Sequence, residues 1–336
     1  MRIALDASYS IGTGLTGVGV YSRELLNGLA ASGFADRWDW FYRSQRFLRA
    51  LRQPVPHNVT RKLLSDSWGS RSASLFHGLN QRLPAKRFRK QIATFHDLFV
   101  LTGDYSTAEF RARFAQQARD AAARADLIIA VSAFTASQVE TLLKVTRDRI
   151  RVVHHGVVPR TLPDLPREKI VLCVGAIQKR KNQAMLVRAF EAMPSDWQLV
   201  LAGSNGYGAE QVVAESKSRV HITGFVSDAE LAGWYARASI FAFPSLDEGF
   251  GMPVLEAMAA GIPVITSNAS ATREVAGDAA MLIDPRDQEQ LAAALVELAQ
   301  NEKRRDQIAA PGKNHSAQFT WHKAVNQTID VYRELI

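Results

Sequence analysis

Ser245-Leu-Asp-Glu-Gly-Phe-Gly-Met-Pro-Val-Leu-Glu-Ala-Met-Ala-Ala-Gly-Ile-Pro-Val-Ile-Thr266 reads as a glycine loop, a helix and the start of a strand. Just before it, Ile240 to Phe243 is a short apolar run suited to a buried strand. Gly249 and Gly251 permit a tight backbone, Pro253 fits a first helical turn, and Gly261 ends the helix ahead of Pro263 and a second apolar strand. Strand, loop, helix and strand in that order make one repeat of a parallel α/β sheet. Ligands of such sheets bind at the carboxyl ends of the strands, where loop amides and a helix N-terminus gather. Two glutamates stand there, Glu248 in the loop and Glu256 two turns into the helix. Such a pair can accept hydrogen bonds from sugar hydroxyls. The plainer alternative is a solvated Glu248 and a surface Glu256. Val254, Leu255, Ala257 and Met258 argue against it for Glu256, because a carboxylate among apolar neighbours needs a partner.

The 336 residues suit two α/β domains of about 150 residues each, and 47% hydrophobic with 22% charged residues is ordinary for a water-soluble globular chain. The single cysteine, Cys173, lies inside the apolar run Ile170 to Val174 and reads as a strand residue, not a redox or metal site. No apolar run approaches the roughly 18 residues of a membrane span, and no signal peptide is legible, so a cytoplasmic location is expected. The net charge of +8 is unevenly placed. Residues 1–165 carry 24 basic and 13 acidic residues, a net +11, while the remainder carries 17 and 20, a net −3. Nucleic acid, an anionic membrane surface or a phosphorylated acceptor would each answer that charge. No nucleic-acid module accompanies it, which disfavours the first.

The Glu-x7-Glu spacing, with Gly-Phe-Gly-Met-Pro inside it and Glu-Ala-Met-Ala-Ala-Gly-Ile-Pro-Val after it, resembles the donor-site signature of the retaining glycosyltransferases of family 4. The resemblance runs the length of the chain, strongest over 170–285 and loosest over 40–73. It implies the GT-B fold, two Rossmann-like domains facing a central cleft: an acceptor-side domain over 1–160 and a donor-binding domain over 161–318. A terminal helix over 319–336 would return to the first domain. It implies transfer of a hexose from a nucleoside diphosphate sugar, mannose from GDP-mannose before the UDP-sugars, to a glycan or lipid-linked acceptor. A non-catalytic nucleotide-sugar-binding protein is the rival from another class.

By the same likeness, Glu248 would hold the donor sugar with the amides of Gly249, Phe250 and Gly251, and Glu256 the ribose. Gly175-Ala-Ile-Gln-Lys-Arg-Lys-Asn182 follows a strand, and cations at a helix N-terminus form an anion site. Arg180 and Lys181 match the family pair that grips the diphosphate, with Ala176 where many members carry an arginine. Phe225 and Val226 fall in the loop set against the base. No Asp-x-Asp occurs, so no metal or other cofactor is expected beyond the donor.

In the first half, Gly12-Thr-Gly14-Leu-Thr-Gly17 matches the dinucleotide fingerprint in letters, yet Ser8 to Ile11 separate it from its strand and the next strand lacks a ribose acid at its far end. Gly17-Val-Gly19 resembles instead the family's glycine loop facing the donor. Gln91 to Phe95 reads as a strand delivering His96-Asp97, and His96 matches a site histidine of mannosyltransferase-like members. His77, after Ser74-Leu-Phe, is left open, and His154-His155 reads as structural. Arg43, Arg46, Arg49, Arg52, Arg61, Lys62 and Arg71, interleaved with Leu48, Leu51 and Trp68, form an irregular basic stretch: either a solvated face or a membrane-facing patch.

Overall fold

The computed structural model describes residues 1–12, 14–64 and 73–336, so Trp68 and Arg71 of the basic stretch lie outside the described residues. The chain forms two compact units, the first of Met1–Leu101, Glu109–Gly156 and Thr320–Ile336, the second of Thr102–Ala108 and Val157–Phe319. One passage between them falls at 156/157, beyond which the Val157 amide bonds to the Phe319 carbonyl of the second unit at 2.9 Å. Residues 102–108 also join the second unit, where the Thr102 hydroxyl donates to Asp247 Oδ2 at 2.6 Å.

The first unit is a parallel sheet of β1 (Arg2–Asp6), β2 (Arg37–Arg43), β3 (Val59–Leu64), β4 (Leu75–Gly78), β5 (Gln91–Phe95), β6 (Leu127–Ala130) and β7 (Ile150–Val152), in the order β3-β2-β1-β4-β5-β6-β7. Strand alternation splits its core between two faces. Ile3 and Leu5 pack with Leu25, Leu29, Ala324 and Tyr332 from the helices Gly17–Ala31 and Trp321–Arg333. Ala4, Phe76 and Phe95 pack with Ala118 and Ala122 from the helix Ala108–Arg124. Each large apolar side chain so enclosed contributes about 1.5–3 kcal/mol over exposure.

Among the described residues, the irregular basic stretch contains a helix, Ser44–Ala50, and the edge strand β3. Charges hide the strand, and they are what an edge strand carries. Lys62 reaches the buried Asp39 of β2 at 2.7 Å, Arg43 pairs with Asp6 at 3.3 Å, and Arg46 donates to the Ile11 carbonyl at 2.6 Å.

The second unit repeats the plan with β8 (Glu168–Val174), β9 (Gln198–Ala202), β10 (Val220–Gly224), β11 (Ala238–Phe243), β12 (Val264–Ser267) and β13 (Met281–Ile283), all parallel, in the order β10-β9-β8-β11-β12-β13. In both sheets the chain turns back beside its first strand, between β1 and β4 and between β8 and β11. Crevices for ligands open at the carboxyl ends of such neighbours. In the second unit those two ends deliver Gly175 to Asn182 and Pro244 to Gly251.

Candidate active site

Beyond β8 the chain makes a short 3-10 turn, Lys179–Lys181, and Asn182 (φ +60°) turns it into the helix Gln183–Phe190. Asn182 Nδ2 donates to the Pro244 carbonyl at 3.1 Å, and the Leu246 amide bonds to the Arg180 carbonyl at 2.8 Å. The cation turn is thereby fixed to the loop after β11. Gly251 starts the helix Met252–Ala259 at φ +99°, a conformation glycine adopts without strain.

Arg180 and Lys181, both mostly buried, converge on buried Glu248. Arg180 Nη1 lies 2.8 Å from Oε2, and Lys181 Nζ lies 2.8 Å from Oε1. The Ser245 hydroxyl donates to Oε1 at 2.9 Å, Arg180 also donates to the Asp247 carbonyl, and the Lys181 ammonium sits 4.6 Å over the Phe243 ring. Burial alone would raise the Glu248 carboxyl, but Arg180 and Lys181 outweigh it and hold it at about 2. Two cations against this one carboxylate leave the trio with a positive charge, set at the carboxyl ends of β8 and β11. An anion arriving there meets donors already in place.

A second acid in the same loop, Asp247, escaped the sequence reading although it adjoins Glu248. It is buried, accepts the Thr102 hydroxyl, and burial pushes its carboxyl up. Glu256 finds the partners its apolar neighbours demanded: the Tyr235 hydroxyl donates to Oε2 at 2.9 Å, and Arg160 Nη2 lies 3.3 Å from Oε1. Neither partner carries a local sequence signal, since both come from elements far along the chain. Phe225 is 66% exposed and Val226 half-buried, in the loop ahead of the helix Asp228–Arg237, whose Ser227–Glu230 capping box fixes its start. Phe250 is a buried ring against Phe319, so any part it has in binding falls to its backbone.

His96, Gly17 and Gly19 belong to the first unit. His96 is buried, and burial pushes its ring down to about 4 although the Leu79 carbonyl works the other way. Its Nε2 lies 2.9 Å from that carbonyl, which can only accept, so Nε2 carries the proton and Nδ1 of the neutral ring is an acceptor. Tyr21 meets this ring edge-on at 4.7 Å, and His155 lies 5.4 Å from it. His155 thus packs in an aromatic cluster with His96, Tyr21 and Trp321. His77, fully buried, bonds to Tyr332 Oη through Nδ1 (2.7 Å) and to Thr94 Oγ1 through Nε2 (2.8 Å), and Thr94 Oγ1 meets Tyr21 Oη at 2.9 Å. Gly17 is an exposed first helical residue. Gly19 is packed so that a Cβ would stand 3.0 Å from the Tyr9 carbonyl oxygen, a tight fit that a larger side chain would have to force open.

Known proteins resemble this chain in sequence and in fold. The family described as "Glycosyl transferases group 1" matches residues 168–301, and "Glycosyltransferase Family 4" matches residues 67–160. O-antigen chain mannosyltransferase B of Escherichia coli is 30% identical, over 96% of this chain and 97% of its own. The chain belongs to glycosyltransferase family 4. It is a glycosyltransferase, an enzyme that moves a sugar from a donor to an acceptor. The MMP alpha-(1->4)-mannosyltransferase of Mycolicibacterium hassiacum is also 30% identical, over 69% of this chain and 58% of that one. Among solved structures, the sucrose-phosphate synthase of Thermosynechococcus elongatus superposes with a TM-score of 0.78 at 23% identity, over 100% of this chain and 99% of that one. HepE of Anabaena in complex with UDP-glucose gives 0.75 at 18% identity, over 99% and 100%. The fold of this glycosyltransferase is GT-B, with one parallel-sheet α/β domain in each unit.

Proposed function

We propose that this glycosyltransferase moves mannose from GDP-mannose, with retention at the anomeric carbon, to a glycan or lipid-linked acceptor in polysaccharide assembly. The buried Arg180–Lys181–Glu248 cluster carries the reading, and the relatives named as mannosyltransferases support the choice of sugar. In the reaction the bond from the sugar C1 to the diphosphate oxygen breaks, and its electron pair stays on that oxygen. The acceptor hydroxyl oxygen bonds to C1, and its proton passes to the departing phosphate. Arg180 and Lys181 meet the charge that grows on the diphosphate, the electrostatic contribution that usually dominates catalysis. Glu248 orients both cations and, with the Gly249, Phe250 and Gly251 backbone, faces the sugar. Glu256 takes the ribose, Phe225 and Val226 lie by the base, and the Nδ1 acceptor of His96 and the Gly17–Gly19 turn serve the substrates from the first unit.

The two cations supply what a metal clamp would, so transfer is expected to persist in excess EDTA; its loss there would overturn this part. A screen of GDP-mannose against UDP-glucose, UDP-galactose and UDP-N-acetylglucosamine tests the donor. The true donor, at about 100 times its Kd, adds about 2.7 kcal/mol of stability. A larger melting shift with a UDP-sugar would overturn GDP-mannose, and an inverted anomer in the product NMR spectrum would overturn retention.

For the acceptor side we propose a peripheral hold on an anionic membrane surface, such as the inner face of the cytoplasmic membrane. No helix among the described residues is long and apolar enough to cross a membrane. Leu48 (75% exposed) and Leu51 (53%) stand out from the surface beside exposed Arg49 and Arg52. Each basic residue near such a surface contributes about 1 kcal/mol. Arg46 is tied to the Ile11 carbonyl, so the informative variants are Leu48→Glu, Arg49→Glu and Arg52→Glu. Equal co-sedimentation with neutral and anionic vesicles would sink the idea.

A further inference from the structure

Arg160 stands on the carboxylate that the proposed function gives to the ribose. It belongs to the segment joining β7 to β8, between Pro159 and Pro163, within the second unit. Its Nη2 lies 3.3 Å from Glu256 Oε1, and its Nη1 lies 3.3 Å from Asp228 Oδ1 at the start of the helix Asp228–Arg237. The guanidinium carbon sits 5.9 Å from the ring centre of Tyr235, the residue whose hydroxyl holds the other oxygen of the same carboxylate. The Arg160 and Glu256 side chains are 24% and 16% exposed, so the pair is half-sheltered yet reachable.

A carboxylate offers about four lone-pair positions, two on each oxygen. Tyr235 uses one on Oε2 and Arg160 one on Oε1. One position is left on each oxygen, the number that two neighbouring hydroxyl donors require. The Tyr235 bond, at 2.9 Å, is an ordinary hydrogen bond. The Arg160 contact is longer than the roughly 2.7–2.9 Å of a strong charge-assisted bond, so the arginine holds Glu256 without saturating it. Together the two partners fix both carboxylate oxygens.

We propose that Arg160 is a positioning residue for the donor nucleotide. With Tyr235 it holds Glu256 in the orientation that accepts the ribose 2′ and 3′ hydroxyls, and it acts through Glu256. The inference rests on the assignment of Glu256 to the ribose.

Calorimetric titration of the full chain with GDP and with 2′,3′-dideoxy-GDP, and with the uridine pair in parallel, tests it. Arg160→Ala should weaken the ribonucleotide about tenfold, the scale of one lost hydrogen bond to a charged group. It should leave the dideoxy ligand unchanged, and Arg160→Lys should recover part of the loss. Equal weakening of both ligands would show that Arg160 touches another part of the nucleotide or supports the fold, and would overturn the proposal. Tighter ribonucleotide binding by Arg160→Ala would show competition for Glu256, and would overturn it too. Failure of the ribose reading looks different: the wild type would not distinguish the two ligands, and Glu256→Gln would change neither affinity. The inference would then fall with that reading.

Discussion

Two buried polar clusters sit at the carboxyl ends of parallel strands, one in each unit, and they are built on opposite principles. In the second unit Arg180, Lys181 and Glu248 are charged, short-bonded and drawn from two loops. In the first, Tyr332, His77, Thr94 and Tyr21 form a neutral hydrogen-bonded chain across two strands and two helices, with the neutral His96 ring beside it. The charged cluster retains a field that an incoming anion completes. The neutral cluster meets its own needs and therefore fixes geometry rather than potential. The proposed function gives the charged cluster to a diphosphate donor.

The largest effect that would break this comparison is expected from Lys181→Ala. If Lys181 meets the leaving group as proposed, its loss should lower kcat by about 10²–10³-fold. The same change leaves the buried Glu248 with Arg180 alone, so stability should also fall by about 1–3 kcal/mol in urea denaturation. An unchanged kcat would show that the cluster is structural only.

Acid should separate the clusters next. Burial holds His96 at about 4 and His77 at about 3 against an ordinary 6.5, so between those values the unfolded chain binds protons that the folded chain refuses. Stability from each ring is full above pH 6.5 and is lost as pH falls towards the folded value. Each ring contributes a slope of about 1.4 kcal/mol per pH unit within that window. Glu248 acts in the same direction but in a lower window, from an ordinary 4.5 down to about 2, so its share persists until the pH drops below 4.5. Urea titrations between pH 7.5 and 5 should therefore be steep in the wild type and shallower by one ring's slope in His96→Asn. Equal slopes would place a proton on His96 in the folded chain.

The members of the charged cluster were legible one by one, Arg180 and Lys181 through the family likeness, although their pairing with Glu248 across 67 residues was not. Glu248 and Gly251 share one loop, Arg180 and Lys181 are adjacent, and strand and helix periodicity framed both segments. The neutral cluster was not legible, since Tyr332 and His77 stand at opposite ends of the chain and only the fold joins them. Arg160 and Tyr235 were hidden from Glu256 for the same reason. Asp247 was overlooked although adjacent to Glu248, because its significance lies in burial and in Thr102, which no spacing announces. The strand β3 was lost to its own charges: Val59-Thr-Arg-Lys-Leu-Leu64 lacks clean alternation because Lys62 serves a buried aspartate on its neighbour.

The finest test asks whether the neutral chain behaves as one unit. Tyr332→Phe removes the hydroxyl that meets His77 Nδ1, and Tyr21→Phe removes the hydroxyl that meets Thr94 Oγ1. Each single change should cost about 1 kcal/mol, the usual net worth of a buried hydrogen bond. The two sites are joined only through His77 and Thr94, whose hydroxyl and ring must choose donor and acceptor roles together. If Tyr332 donates to Nδ1, then Nε2–H donates to Thr94, and the Thr94 hydroxyl is free to donate to Tyr21. Losing one end lets the whole series reverse, so the second loss should cost less than the first. Urea denaturation of both single variants and the double should then show a coupling of about 0.5 kcal/mol or more. Strict additivity would mean that the four residues are separate bonds that happen to be neighbours, and that fixed geometry in the first unit rests on packing of the helices alone.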